Sequence, residues 1–188
     1  RIDPTSLPVT EALLGLYRET KQGQKAADVL AQILTRAEVQ ADAARAAKLH
    51  VSLAEILRDD VKDESAAVAE LEKALDKNPR LVQAFAQVEE ILTKGKRWAD
   101  LEQSYVRMIQ RLPKGPEGAQ ARLALWKTLG ELYRNVLRND DGARMAYQVV
   151  AKADPEDVVS LETYADLAAK KPGEEKDAVL AYRQLLRT

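Results

Sequence analysis

The side chains able to do chemistry in this 188-residue chain are few and scattered. His50 is its one histidine and it has no cysteine, which excludes multi-histidine metal sites, thiolate zinc sites, a disulfide framework and a cysteine nucleophile. As the side chain whose ordinary pKa lies near neutrality, His50 is the first candidate for acid–base work. Asp59-Asp60 with Asp63-Glu64, and Asp140-Asp141, supply carboxylates for a cation. Calcium loops place oxygens at alternate positions around a central glycine, and neither turn has that spacing. Asp63 and Asn139 are instead expected to cap the helices that follow, with neighbouring acids favoured at the positive helix end.

Two basic stretches are candidates for anion binding. Lys114-Gly115-Pro116-Glu117-Gly118 has glycines and a lysine but lacks the G-K-[ST] ending and the preceding strand of a phosphate loop. It reads as a linker, with Pro116 in the first turn of the next helix. Lys94-Gly95-Lys96-Arg97-Trp98 sets three cations beside an aromatic ring, and reads as a solvated corner. No G-x-S-x-G nucleophile elbow occurs. No metal, cofactor or catalytic residue is expected, and the chain is read as not an enzyme.

Lys and Arg number 29 against 30 Asp and Glu, a formal net charge of -1, so the overall field that gathers nucleic acid or anionic lipid is missing. No apolar run approaches the roughly 20 residues that span a bilayer. The expectation is a soluble chain with no membrane contact of its own, the cytoplasm slightly favoured and the compartment otherwise unread. The opening Arg1-Ile2-Asp3-Pro4 is taken as that of a fragment of a longer repeat protein.

The elements that must position any site are helices. Apolar residues recur three and four apart, as in Leu49, Leu53, Ile56 and Leu57, and strict alternation is absent. Turn chemistry breaks the chain at Gln22-Gly23, Asn78-Pro79, Lys94-Gly95, Pro113 to Pro116, Asp154-Pro155 and Pro172-Gly173. This spacing predicts ten helices, near 8–21, 24–38, 41–59, 64–77, 80–93, 97–111, 117–137, 141–153, 156–170 and 174–187.

The helices repeat in pairs. Pro79 and Pro113 stand about 34 residues apart, the length of a helix-turn-helix repeat. The ladders Ala67-Leu71-Ala74, Leu101-Tyr105-Met108 and Ala143-Tyr147-Val150 precede Pro79, Pro113 and Pro155 at the same spacing. Trp126, Leu129, Gly130 and Tyr133 read W-x-x-L-G-x-x-Y, and His50, Leu53, Ala54 and Leu57 hold the same places one module earlier. On these residues the chain resembles the tetratricopeptide repeat family, in a bacterial-type array. A second period of about 76 residues separates His50 from Trp126, Asp63 from Asn139 and Pro79 from Pro155, which makes the repeats alternate. Repeats two and four carry an extra residue in the internal turn, and repeats one and three a tight turn through Gly23 or Gly95. The resemblance implies an all-α, right-handed α-solenoid of about five repeats and ten antiparallel helices. It would form a single domain over 1–188, with repeats near 7–39, 40–79, 80–113, 117–155 and 156–188. His50, in the slot held by Trp126, Phe85 and Leu161 elsewhere, becomes a packing residue. Leu180, Leu185 and Leu186 are left uncovered on the last helix, which points to further repeats or to end-to-end self-association.

Family geometry places a partner on the concave face formed by the first helices. Carried over by position, the candidate partner-binding residues are Arg18, Lys48, Arg58, Gln83, Glu90, Lys127, Glu131 and Arg134. Glu11, Val51, Glu55 and Gln87, with Glu162, Asp166 and Lys170, belong to the same surface. Arg18, Arg58 and Arg134 fall at one equivalent position, either as a ladder for carboxylates or paired with Glu11, Glu55 and Glu131 on their own helices. The lysine and asparagine clamp by which some relatives hold a terminal carboxylate is absent, since Glu11, Gly15, Val51 and Glu55 stand in its place. The leading expectation is a non-enzymatic protein-interaction scaffold binding a segment of a partner protein. The alternatives are an RNA-binding helical repeat, against which the balanced charge speaks, and a regulatory or assembly module of a larger enzyme or secretion-type complex.

Overall fold

The computed structural model describes residues 7–187, without the side chains of Leu7, Pro8 and Glu11. Two compact units divide the chain, Arg1–Arg97 and Trp98–Thr188. The first holds α1 (Leu7–Glu19), α2 (Gly23–Leu34), α3 (Ala37–Gln40), α4 (Ala43–Ile56), α5 (Glu64–Lys77) and α6 (Val82–Lys94). The second holds α7 (Trp98–Arg111), α8 (Pro116–Glu131), α9 (Asp140–Ala153), α10 (Val158–Ala169) and α11 (Glu175–Leu185). The all-α expectation holds, with α1/α2, α4/α5, α8/α9 and α10/α11 each packed as a helical hairpin.

Ten helices match the expected ones, and α3 is an addition. The helix expected over 24–38 stops at Leu34, and a separate turn, Ala37–Gln40, follows. Its physical reason is Val39, fully buried with Leu34 and Ala46 in one apolar cluster. Gln40 holds the turn in place, its Nε2 donating to the Leu34 carbonyl at 2.6 Å and its Oε1 accepting from Lys77 Nζ at 2.9 Å.

The extra residue in the internal turns of repeats two and four is accommodated as π-helix. Helix α4 continues into a π-helical segment, Leu57–Val61, and α8 into another, Leu132–Leu137. Each ends on a left-handed residue, Lys62 (φ 65) and Arg138 (φ 53). The next amide then reaches back to an equivalent carbonyl, Asp63 N to Leu57 O at 2.8 Å and Asn139 N to Tyr133 O at 2.9 Å. As expected, Asp63 and Asn139 then cap their helices, accepting from Ala66 N and Gly142 N at 2.9 Å each.

The tight turns also match each other, but not through glycine. Lys21 (φ 56) and Lys96 (φ 53) are the left-handed residues. Gln22 N donates to Tyr17 O and Arg97 N to Leu92 O, both at 2.8 Å. Gly23 serves packing instead, because a Cβ there would overlap the Cβ of Asp60 on the adjoining π-helical segment.

In the first unit Leu30, Ile33 and Leu34 of α2 cluster with Leu53 and Ile56 of α4. In the second, Tyr147 and Ala151 of α9 cluster with Leu161, Tyr164 and Leu167 of α10 and Ala178 and Ala181 of α11. Gly130, where a Cβ would press on the Tyr147 ring at 3.1 Å, lets α8 and α9 approach closely. Of the expected uncovered leucines, Leu180 is 61% and Leu186 88% exposed, while Leu185 is half-buried.

Candidate partner-binding faces

The first helices of the repeats are α1, α4, α6, α8 and α10; Arg18, Lys48, Gln83, Glu90, Lys127 and Glu131 sit on them, and Arg58 and Arg134 on the π-helical segments that continue α4 and α8. Arg18, Lys48, Gln83, Glu90, Glu131 and Arg134 are exposed, and Arg58 and Lys127 are half-buried. Glu11 lies outside the described side chains.

Within each unit, neighbouring first helices are joined by polar bonds. Arg58 Nη1 donates to Gln87 Oε1 of α6 at 3.0 Å, and Arg134 Nη1 to Thr163 Oγ1 of α10 at 3.4 Å. Both reach 29 residues along the chain. Arg58 also feels the charge of Glu55 on its own helix, while its hydrogen bonds go to Asp59 and Gln87. Each arginine stands on one of the π-helical segments that continue α4 and α8.

The two arginines differ in what else they hold. Arg58 clamps Asp59 with Nε and Nη2 at 2.8 Å each, and this bond lifts the guanidinium above its ordinary value and holds the Asp59 carboxyl below its own. Glu55 and Glu90 add weaker attraction. In the second unit the stronger tie is Lys127 Nζ donating to Asp157 Oδ2 at 2.7 Å, which raises the Lys127 pKa. Burial of Asp157 works against its charge, but the bonds from Lys127 and Ser160 prevail and its pKa falls. Asp157 also caps α10 by accepting from Ser160 N at 3.2 Å, so one carboxylate fixes both a helix start and the α8–α10 contact.

Sequence reasoning missed Asp157 and Thr163, which sit opposite Lys127 and Arg134. It also missed Glu102, whose Oε1 accepts from the Tyr133 hydroxyl at 2.7 Å. Burial and this bond push the Tyr133 phenol up to about 12.

His50 is 7% exposed on α4, as a packing residue should be, and its Nδ1 donates to Glu70 Oε2 of α5 at 2.7 Å. Glu70 also accepts from Lys73 Nζ at 2.6 Å. Burial alone would raise the Glu70 pKa, and the bonds from His50 and Lys73 bring it below the ordinary value. Among the described residues no group of three or more His, Cys, Asp or Glu side chains is arranged to hold a metal ion. No helix of the described residues is long and apolar enough to cross a membrane.

No family model matches the chain, and no curated protein matches it either. Solved structures that it resembles include one of MamA, 14% identical over 91% of each chain with a TM-score of 0.45. Another is MamA 41-end from Desulfovibrio magneticus RS-1, 17% identical over 93% of each chain, TM-score 0.41. A third is pilF of Pseudomonas aeruginosa, 18% identical over 95% of this chain and 75% of that one, TM-score 0.43. The paired helices, the W-x-x-L-G-x-x-Y ladder that runs from α8 into the π-helical segment after it and the turns that recur from one half of the chain to the other make the described residues an all-α chain of tetratricopeptide-like helical hairpins.

Proposed function

We propose that the chain is a non-enzymatic protein-interaction scaffold whose first helices receive a segment of a partner protein. The observation that carries this reading is the set of side-chain bonds between neighbouring first helices, Arg58 to Gln87 in one unit and Lys127 to Asp157 with Arg134 to Thr163 in the other. They hold the first helices side by side within each unit, and Lys48, Gln83, Glu90 and Glu131 are exposed on those helices. Pre-ordered side chains of mixed charge, taken within each unit by itself, favour an extended or helical peptide bearing both signs over a uniformly anionic nucleic acid.

The test is affinity capture with Arg18, Lys48 and Arg134 changed together to glutamate, with helicity checked by circular dichroism. Loss of the proteins captured by the unmodified chain is expected. Full retention of every one of them overturns the reading, and salt-dependent binding of single-stranded RNA gives the faces to nucleic acid instead.

A further inference from the structure

Arg58 and Arg134 occupy one register of the repeat, each on a π-helical segment that continues a first helix, and each donates Nη1 to a side chain 29 residues further along. They differ in what fills the rest of the guanidinium. In the first unit Asp59 fills it, its two carboxylate oxygens accepting from Arg58 Nε and Nη2 at 2.8 Å each. In the second unit Asn135 stands where Asp59 would be, and an amide offers one oxygen and no charge. Among the described residues, the long bond from Nη1 to Thr163 Oγ1, 3.4 Å, is the one hydrogen bond that Arg134 makes with its side chain. Arg134 and Asn135 are both exposed, so Nε and Nη2 are open to solvent on that side. The other acids of this face do not separate the two sites or are already engaged. Glu131 stands three residues before Arg134 just as Glu55 does before Arg58. Asp157 is held by Lys127, and Asp166, in the register of Glu90, accepts from the Tyr182 hydroxyl at 2.6 Å.

We infer that Arg134 receives the side-chain carboxylate of an aspartate or glutamate within the partner segment, and that Arg58 does not, because its own chain already supplies that group. The inference rests on the scaffold reading above and names the chemical group that the second unit recognises. The first unit shows which ligand an arginine at this register takes: a carboxylate, carried on a side chain whose backbone runs past the guanidinium. Planar guanidinium and planar carboxylate match in two parallel bonds, which a lysine could not reproduce. Asn135 is therefore a specificity residue in its own right, since an acid at that place would close the site from within.

The test selects binders to the full chain from a displayed library of random peptides of about 12 residues and remakes them synthetically, with amidated and with free C-termini. Selected peptides are expected to share an Asp or Glu whose change to Asn or Gln weakens binding about fivefold. Arg134→Gln and Asn135→Asp should each weaken the acidic peptide by a similar factor and leave its amide counterpart unchanged. Asp59→Asn, which opens the Arg58 guanidinium, should strengthen peptides that carry a second acid. All four positions are outside the buried core, and circular dichroism checks that the variants fold. An acid that can be replaced without loss, a loss that persists undiminished in Arg134→Gln, or a preference confined to the free C-terminus overturns the inference and leaves the scaffold reading standing. Selection of no peptide at all overturns both.

Discussion

The guanidinium of Arg58 bonds the side chain of Gln87, 29 residues further along, and so ties α4 to α6 across two turns and a whole intervening helix. The same step joins Arg134 to Thr163 in the other unit. Each arginine leaves from a π-helical segment, Leu57–Val61 in one unit and Leu132–Leu137 in the other.

A double-mutant cycle on Arg58→Ala and Gln87→Ala should therefore give a coupling energy. For a half-exposed charge-assisted bond the expected size is about 0.5–1 kcal/mol, discounted for solvent screening. Urea unfolding of the four proteins measures it. Additive effects would mean that the contact orders nothing.

The left-handed residues at the ends of the π-helical segments are Lys62 and Arg138, not glycines. Lys62→Gly should raise stability by about 0.5–1 kcal/mol, because glycine enters this region without a steric penalty. Thermal unfolding reads the change, and a lower melting temperature would contradict it.

Two glycines should respond in opposite directions. A Cβ on Gly118 would collide with the carbonyl oxygen of Pro113, so Gly118→Ala is expected to cost about 1–3 kcal/mol. Gly15 lies within α1 with nothing within 4 Å of the added carbon, and Gly15→Ala should gain about 0.5–1 kcal/mol. Equal effects in denaturant unfolding would refute the packing assigned to Gly118.

The Glu70 pKa is depressed in the folded chain, so its pairing with His50 and Lys73 adds stability at and above the unfolded carboxylate value of about 4.3. That contribution is lost as pH falls through the folded value. Glu70→Gln should be less stable than the unmodified chain by about 1 kcal/mol at pH 7, and the difference should shrink as the pH is lowered below about 4.3. Unfolding curves across that range decide the matter, and a difference that does not change with pH contradicts the assignment.

Much of this architecture was legible because local chemistry sets it. Apolar spacing of three and four gave the ten main helices, and the 76-residue period paired turns whose hydrogen bonds then matched carbonyl for carbonyl. The extra residue before Asp63 and Asn139 was visible as a count, yet its resolution as a π-helical turn depends on how neighbouring helices pack. Lys21, Lys62, Lys96 and Arg138 bear no mark of a left-handed backbone, since that conformation is imposed by the turns they close. The bonds of His50 to Glu70 and Lys127 to Asp157 join residues 20 and 30 apart, across helices, where sequence spacing carries no signal. Residues 35–38 likewise looked like part of α2, because only the space beside Leu34 and Ala46 gives Val39 and its turn a separate role.

The central claim is that the first helices are where a partner binds, and site-specific photocrosslinking tests it most directly. A benzophenone side chain placed singly at Lys48, Gln83, Glu90, Glu131 or Arg134 should trap the same partner protein. Placed at the exposed second-helix positions Ala69, Lys73 or Met145, it should not. A partner trapped equally from both sets, or from the second helices alone, would contradict the account.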